Sequence, residues 1–154
     1  MTIHLIQFTT IALLFLLSGL FWGSWFSIGR SFDEFPLITY VHIAQIINRN
    51  LGVSMRVISI PCIILMVLCA WFFPQKTFAE FLLYACSILL AISALIITVF
   101  VEVPMNNKII TWTTESAPLD WQNIRKRWQF YNDIRTLVSG LSFLIFTAIT
   151  LKLF

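Results

Sequence analysis

Charge is scarce in this sequence. Of its 154 residues, 11% are Asp, Glu, Lys or Arg and 59% are hydrophobic, and the mean hydropathy is +0.89. A soluble domain carries about a quarter of its residues charged, so this composition excludes one and makes lipid the solvent. Histidine is scarcer still. His4 and His42 fall on opposite sides of the topology derived below, so they cannot form an axial haem pair. Cys62, Cys69 and Cys86 lie in apolar segments with no C-x-x-C pair, which indicates packing rather than a redox dithiol or metal site. Also missing are a P-loop, a Gly-rich nucleotide turn and a Ser-His-Asp order. The opening stretch has no basic leader and no A-x-A cleavage pattern, so it reads as a retained span rather than a signal peptide.

The charge that is present is mostly positive. Ten Lys and Arg against seven Asp and Glu give a net charge of +3. In a chain this apolar those cations read as topology signals facing anionic lipid. Membrane lipids are therefore expected partners and nucleic acid is not.

A spanning helix needs about 20 mostly apolar residues. Four segments qualify: Ile3 to Ile28, Val57 to Phe73, Phe78 to Val103, and Leu137 to Phe154. The expected fold is all-α, one integral-membrane four-helix bundle over residues 1–154. The short link Pro74, Gln75, Lys76 makes the second and third spans a hairpin. The links 29–56 and 104–136 carry Arg30, Arg49, Arg56, Lys108, Arg125, Lys126, Arg127 and Arg135, against Lys76 and Lys152 on the other side. The positive-inside rule then places both long links in the cytoplasm and both termini outside an inner or plasma membrane. No span carries an ionisable group in its middle, which argues against proton-coupled export. Ser18, Gly19, Gly23 and Ser27 have small-x-x-x-small spacing, expected to pack a bundle neighbour, with homo-oligomerisation as the alternative. Trp22, Trp25 and Trp71 read as interfacial anchors.

The long links are patterned. After Asp33, Glu34 and Pro36, an apolar stripe (Leu37, Val41, Ala44, Ile47) and a polar one (Thr39, His42, Gln45, Asn48, Arg49) describe an amphipathic helix, with a break expected at Gly52. In the third link Glu102 sits in the last turn of an apolar helix, and Pro104 is expected to disturb that helix. Ser116 is a candidate cap and Pro118 a candidate first-turn residue, with helix continuing from about Leu119 as an extension of the fourth span. On it, Trp121, Arg125, Trp128, Asn132 and Arg135 form one stripe at three- and four-residue spacing. An arginine this close to hydrocarbon needs a carboxylate. Glu102 and Asp120 are the candidates, Glu102 favoured. Glu102 with Glu34 or Asp120 has the charge for a cation, but carboxylates at helix ends read better as caps or ion-pair partners, so no metal is expected.

The stretches "INRNLGVSMRVISIP", "VPMNNKIITW" and "DWQNIRKRWQFYNDIRT", in this order and at these separations, resemble the anthrone oxygenase-like family of small four-span membrane proteins. The resemblance runs from roughly Gly19 through the fourth span. Pro104, Asn106, Trp112, Pro118, Asp120, Trp121, Arg125, Trp128 and Arg135 stand where the family pattern has such residues, and Asn50 and Arg56 match its first-link pattern. The resemblance implies oxidation of an anthrone to an anthraquinone by dioxygen, with no cofactor. One departure stands out. The family often has histidine three residues before the arginine matched by Arg135, where this chain has Asn132, an amide that cannot take a proton. His42 is a candidate substitute base, with an interfacial polar residue as the other reading of it.

The expected site is a cytoplasm-facing pocket for a flat apolar or aromatic small molecule. Trp112, Trp121, Trp128 and Tyr131, with Asn50, would bind it, and Asn106 and Asn132 would supply hydrogen bonds. Arg135 or Asn106 would stabilise enolate charge, and the pairs Arg135 with Glu102 and Arg125 with Asp120 would hold the frame. The alternative is a non-catalytic lipid or quinone binder or an accessory membrane subunit.

Overall fold

A computed structural model describes residues 2–72 and 77–153. The expected link Pro74, Gln75, Lys76, the span ends Phe73 and Phe154, and the Arg56 side chain lie outside the described residues. The chain is all-helical: α1 (Thr2–Ser27), a 3₁₀ turn (Gly29–Glu34), α2 (Leu37–Phe72), α3 (Phe78–Ile97), a π-turn (Thr98–Glu102), α4 (Val103–Ile109) and α5 (Trp121–Thr150). These pack as a bundle. Three helical stretches, Ile3–Glu34, Phe78–Ile109 and Trp121–Thr150, are long and apolar enough to cross a membrane, and the two halves of α2 make a fourth if taken together.

The surface is the inverse of a soluble protein's. Phe8, Phe26, Trp71, Phe78 and Phe100 are exposed, whereas Thr10, Ser18, Ser87, Ser139 and Ser142 are buried between helices. Small polar residues let helices approach and share hydrogen bonds where lipid surrounds them. Most of these hydroxyls bond within their own helix, as Thr10 does to the Ile6 carbonyl at 2.7 Å. Ser142 crosses instead, donating to the Ser87 carbonyl on α3 at 2.8 Å.

Two expected breaks are present in mild form, and one expected cap is absent. The break expected at Gly52 takes the form of a bend. α2 runs through it, and the segments 37–52 and 57–72 meet at a 47° bend. α3 ends at Ile97, and the disturbance expected from Pro104 is a π-turn just ahead of that proline. The π-turn before it widens the spiral so that the Val103 N–H reaches the Thr98 carbonyl, and the proline falls in the first turn of α4, where its missing donor costs little. Ser116 caps no helix. It exchanges bonds with Thr113 in a closed turn (Thr113 N to Ser116 Oγ 2.8 Å, Ser116 N to Thr113 Oγ1 3.1 Å), and α5 begins at Trp121 after an Asp120 that makes no side-chain cap.

The small-residue stripe on α1 is also not used as expected. A Cβ at Gly19 or Gly23 would meet nothing within 4 Å, whereas one at Gly140 on α5 would come within 2.6 Å of Trp22 Nε1. The close approach between α1 and α5 is thus made at Gly140, with Trp22 lying over it.

Candidate functional site

The core divides in two. Leu14, Leu17, Cys62, Met66, Tyr84, Phe146 and Ile149 fill one end of the bundle. Phe32, Tyr40, Val41, Ile109 and Trp128 fill the other, beneath the long links. The second end gathers the polar groups.

The α5 stripe turns inward there. Arg125, Trp128, Asn132 and Arg135 are buried and Trp121 is half-buried, while Lys126 and Arg127 face out. Arg135 Nη1 pairs with Glu102 Oε2, Arg135 Nη2 donates to Asn132 Oδ1 at 2.7 Å, and the guanidinium lies 4.3 Å from the centroid of the Phe21 ring. Glu102 is 1% exposed. Apart from this ion pair, neither Glu102 oxygen takes a hydrogen bond among the described residues. A buried pair of this kind is held because removing one member strands the other charge in a poor solvent. It also leaves the carboxylate with unused acceptor capacity.

Further along the stripe, Trp128 Nε1 donates to Asn106 Oδ1 at 2.8 Å, and the indole packs on Phe32 with centroids 5.4 Å apart. Arg125 clamps the 3₁₀ turn and its exit, donating to the carbonyls of Phe35 at 2.9 Å and Asp33 at 3.1 Å. Its carboxylate partner is Asp33, at 3.3 Å, not Asp120. Asp120 is exposed and joins no ion pair among the described residues. Because the bonds to Asp33 and Phe35 join positions about 90 residues apart, no local pattern could reveal that partner.

A cavity of about 210 Å³ opens beside the buried pair. Thr98, Glu102 and Asn106, at four-residue spacing, form one wall. Asn48, Leu51 and Met55 of α2 form a second, Phe21 and Ser24 of α1 a third, and Trp128 and Arg135 of α5 complete it. Its volume is below the ~300–1,000 Å³ of pockets for drug-sized ligands, so it suits a compact molecule better than a long chain.

Several expected members are elsewhere. His42 is exposed and not among the residues lining this cavity, because the bend brings the Asn48 to Met55 part of α2 to the site instead. Asn50 is exposed and also off the cavity. Trp121 stacks under Arg125 at 4.9 Å, Tyr131 packs under Arg127 at 5.9 Å, and Trp112 faces a different crevice. Of the four expected aromatics, Trp128 alone lines the cavity. Asn132 does not line it either and instead orients Arg135. Asn48 of the α2 wall belongs to the polar stripe read from the first link, whereas Leu51 and Met55 were missed, although the spacing of Ile47, Leu51 and Met55 marks one helical face.

A sequence model of the anthrone oxygenase family matches residues 50–145, more than half of the chain. The chain belongs to the anthrone oxygenase family. No curated protein and no solved structure gives a significant match. The segment matching the anthrone oxygenase family holds Glu102, Asn106, Trp128 and Arg135, together with α3, α4 and most of α5. The α1 wall of the cavity lies before it. Among the described residues no three His, Cys, Asp or Glu side chains come together as a metal site would require.

Proposed function

We propose that the cavity beside Glu102 and Arg135 binds a flat apolar or aromatic molecule of the anthrone type and that the protein oxidises it with dioxygen. The observation that carries this reading is an under-bonded carboxylate, paired to a guanidinium, in the wall of a cavity otherwise lined mostly by apolar side chains. Family membership supplies the substrate class. Glu102 would take a proton from the methylene carbon of the anthrone. Arg135 and the Asn106 amide would stabilise the enolate oxygen, and Trp128 would offer a stacking face. The carbanion carbon then adds dioxygen. Loss of its second hydrogen and of the terminal oxygen as water leaves the second carbonyl, so anthrone plus dioxygen becomes anthraquinone plus water. On this reading Glu102 takes the role that His42 was expected to fill.

A second reading, non-catalytic binding of a lipid or quinone, is favoured by one observation: the position where the family often has histidine is Asn132, which bonds to Arg135 and lines no part of the cavity. Purified protein incubated aerobically with a model anthrone separates the two. Quinone formation above buffer, reduced about 10²-fold or more by Glu102→Gln, supports turnover. Background rate with a hydrophobic molecule co-purifying establishes the binder. Both readings place the long links in the cytoplasm by the positive-inside rule. A cysteine introduced at position 115 and labelled from outside intact cells would reverse that orientation.

A further inference from the structure

A second cavity, of about 720 Å³, lies on the other side of α4 and shares no lining residue with the first. Phe100, Val101 and Pro104 make its apolar floor, Trp112 one flank, and Lys108 and Arg127 its charged rim. Neither cation joins an ion pair among the described residues. Lys108 is exposed, and Arg127 meets the face of Tyr131 at 5.9 Å, which leaves its planar fork of donors open.

Both rim cations mark the same border. Along the π-turn and α4 the exposed apolar residues Val99, Phe100 and Val103 give way to Lys108, and along α5 Arg127 is followed by exposed Phe130 and Leu137. On these two stretches the large exposed apolar side chains lie to one side of the two positive charges, with exposed Asp133 among them and exposed Leu119 beyond Arg127. The loop wall is preformed by the reciprocal Thr113 and Ser116 bonds, so the crevice does not depend on a ligand to order it. Its volume falls within the ~300–1,000 Å³ range of ligand sites.

We propose that this crevice is a binding site for an anionic phospholipid, its phosphate held by Lys108 and Arg127 and the start of an acyl chain lying along Phe100, Val101 and Pro104. Arginine supplies bidentate geometry to phosphate oxygens and lysine a point charge. An apolar floor running into the lipid-exposed helix face selects a tethered phosphate over a free one. Basic pockets between membrane helices hold anionic headgroups on the same terms.

The test is native mass spectrometry of the full-length protein in neutral detergent, titrated with dioleoyl-phosphatidylglycerol or dioleoyl-phosphatidylcholine. The expected result is about tenfold or greater retention of the anionic lipid, lost in K108Q/R127Q but kept in K108R/R127K. It is also kept in Lys126→Gln, which removes an exposed cation outside the crevice. Circular dichroism of K108Q/R127Q verifies that helix content is unchanged. Equal retention of the two lipids overturns the proposal. So does an equal loss in Lys126→Gln, which would assign the effect to diffuse charge, or displacement of the lipid by inorganic phosphate at matched concentration, which would assign the site to free anions.

Discussion

The two ends of the bundle solve the same problem in different ways. At the end around Met66, Tyr84 and Phe146, most buried hydroxyls satisfy themselves on nearby backbone of their own helix, as Ser87 does on Tyr84 at 2.9 Å, and apolar packing does the rest. At the end around Trp128, side-chain amides and a buried guanidinium reach across the chain. Gln129 donates to the Gly29 carbonyl at 3.2 Å, Gln45 to the Ile110 carbonyl at 3.0 Å, and Arg125 to the first-link turn. Local bonds leave packing partners interchangeable, since any small residue fits. Long-range polar bonds fix which segments meet, and the cavity forms where they do.

The comparison is sharpened most by Arg135→Met, which strands Glu102 at the polar end. Destabilisation by about 3 to 5 kcal/mol is expected, read from unfolding in mixed micelles. Arg125→Gln, which gives up charged bonds to Asp33 and Phe35, is expected to cost about 1.5 to 3 kcal/mol and to speed proteolysis within residues 29–35. Gly140→Ala probes the steric contact at the α1–α5 seam. Its Cβ would stand 2.6 Å from Trp22 Nε1, so a loss of about 1 to 3 kcal/mol is expected, whereas Gly19→Ala, with open space, should be neutral or stabilising by up to about 1 kcal/mol. Smallest is Ser87→Ala at the apolar end, where removing a local hydroxyl bond should cost about 1 kcal/mol or less. If Ser87→Ala were as damaging as Arg135→Met, the distinction between the two ends would fail.

What the sequence carried follows the same division. The α5 stripe is legible because its members lie three and four apart on one helix, and Glu102 is legible as a carboxylate at the same depth as Arg135. Composition alone announces an all-helical chain with membrane-length segments. Beyond that, contacts between distant segments were hidden. Asp33 as the partner of Arg125 and the α2 wall both depend on how the first link docks, which the 47° bend sets. The disturbances at Gly52 and Pro104 are legible from the residues, but their form is not. One is a 47° bend and the other a single π-turn, so helix resumes beyond each and the wall residues fall in register. The expected aromatic cluster failed for a related reason. Trp112, Trp121 and Tyr131 each find a different neighbour, and a shared stripe or link does not imply a shared pocket.

The central claim is that Glu102 and Arg135 are mutually dependent buried charges that frame the cavity. A double-mutant cycle with Glu102→Gln, Arg135→Met and the double variant, read as unfolding free energies, tests it most directly. A coupling of about 2 to 3 kcal/mol, with the double variant costing less than the sum of the two singles, is the predicted result. A coupling within about 0.5 kcal/mol of zero, as exposed pairs give, would contradict it.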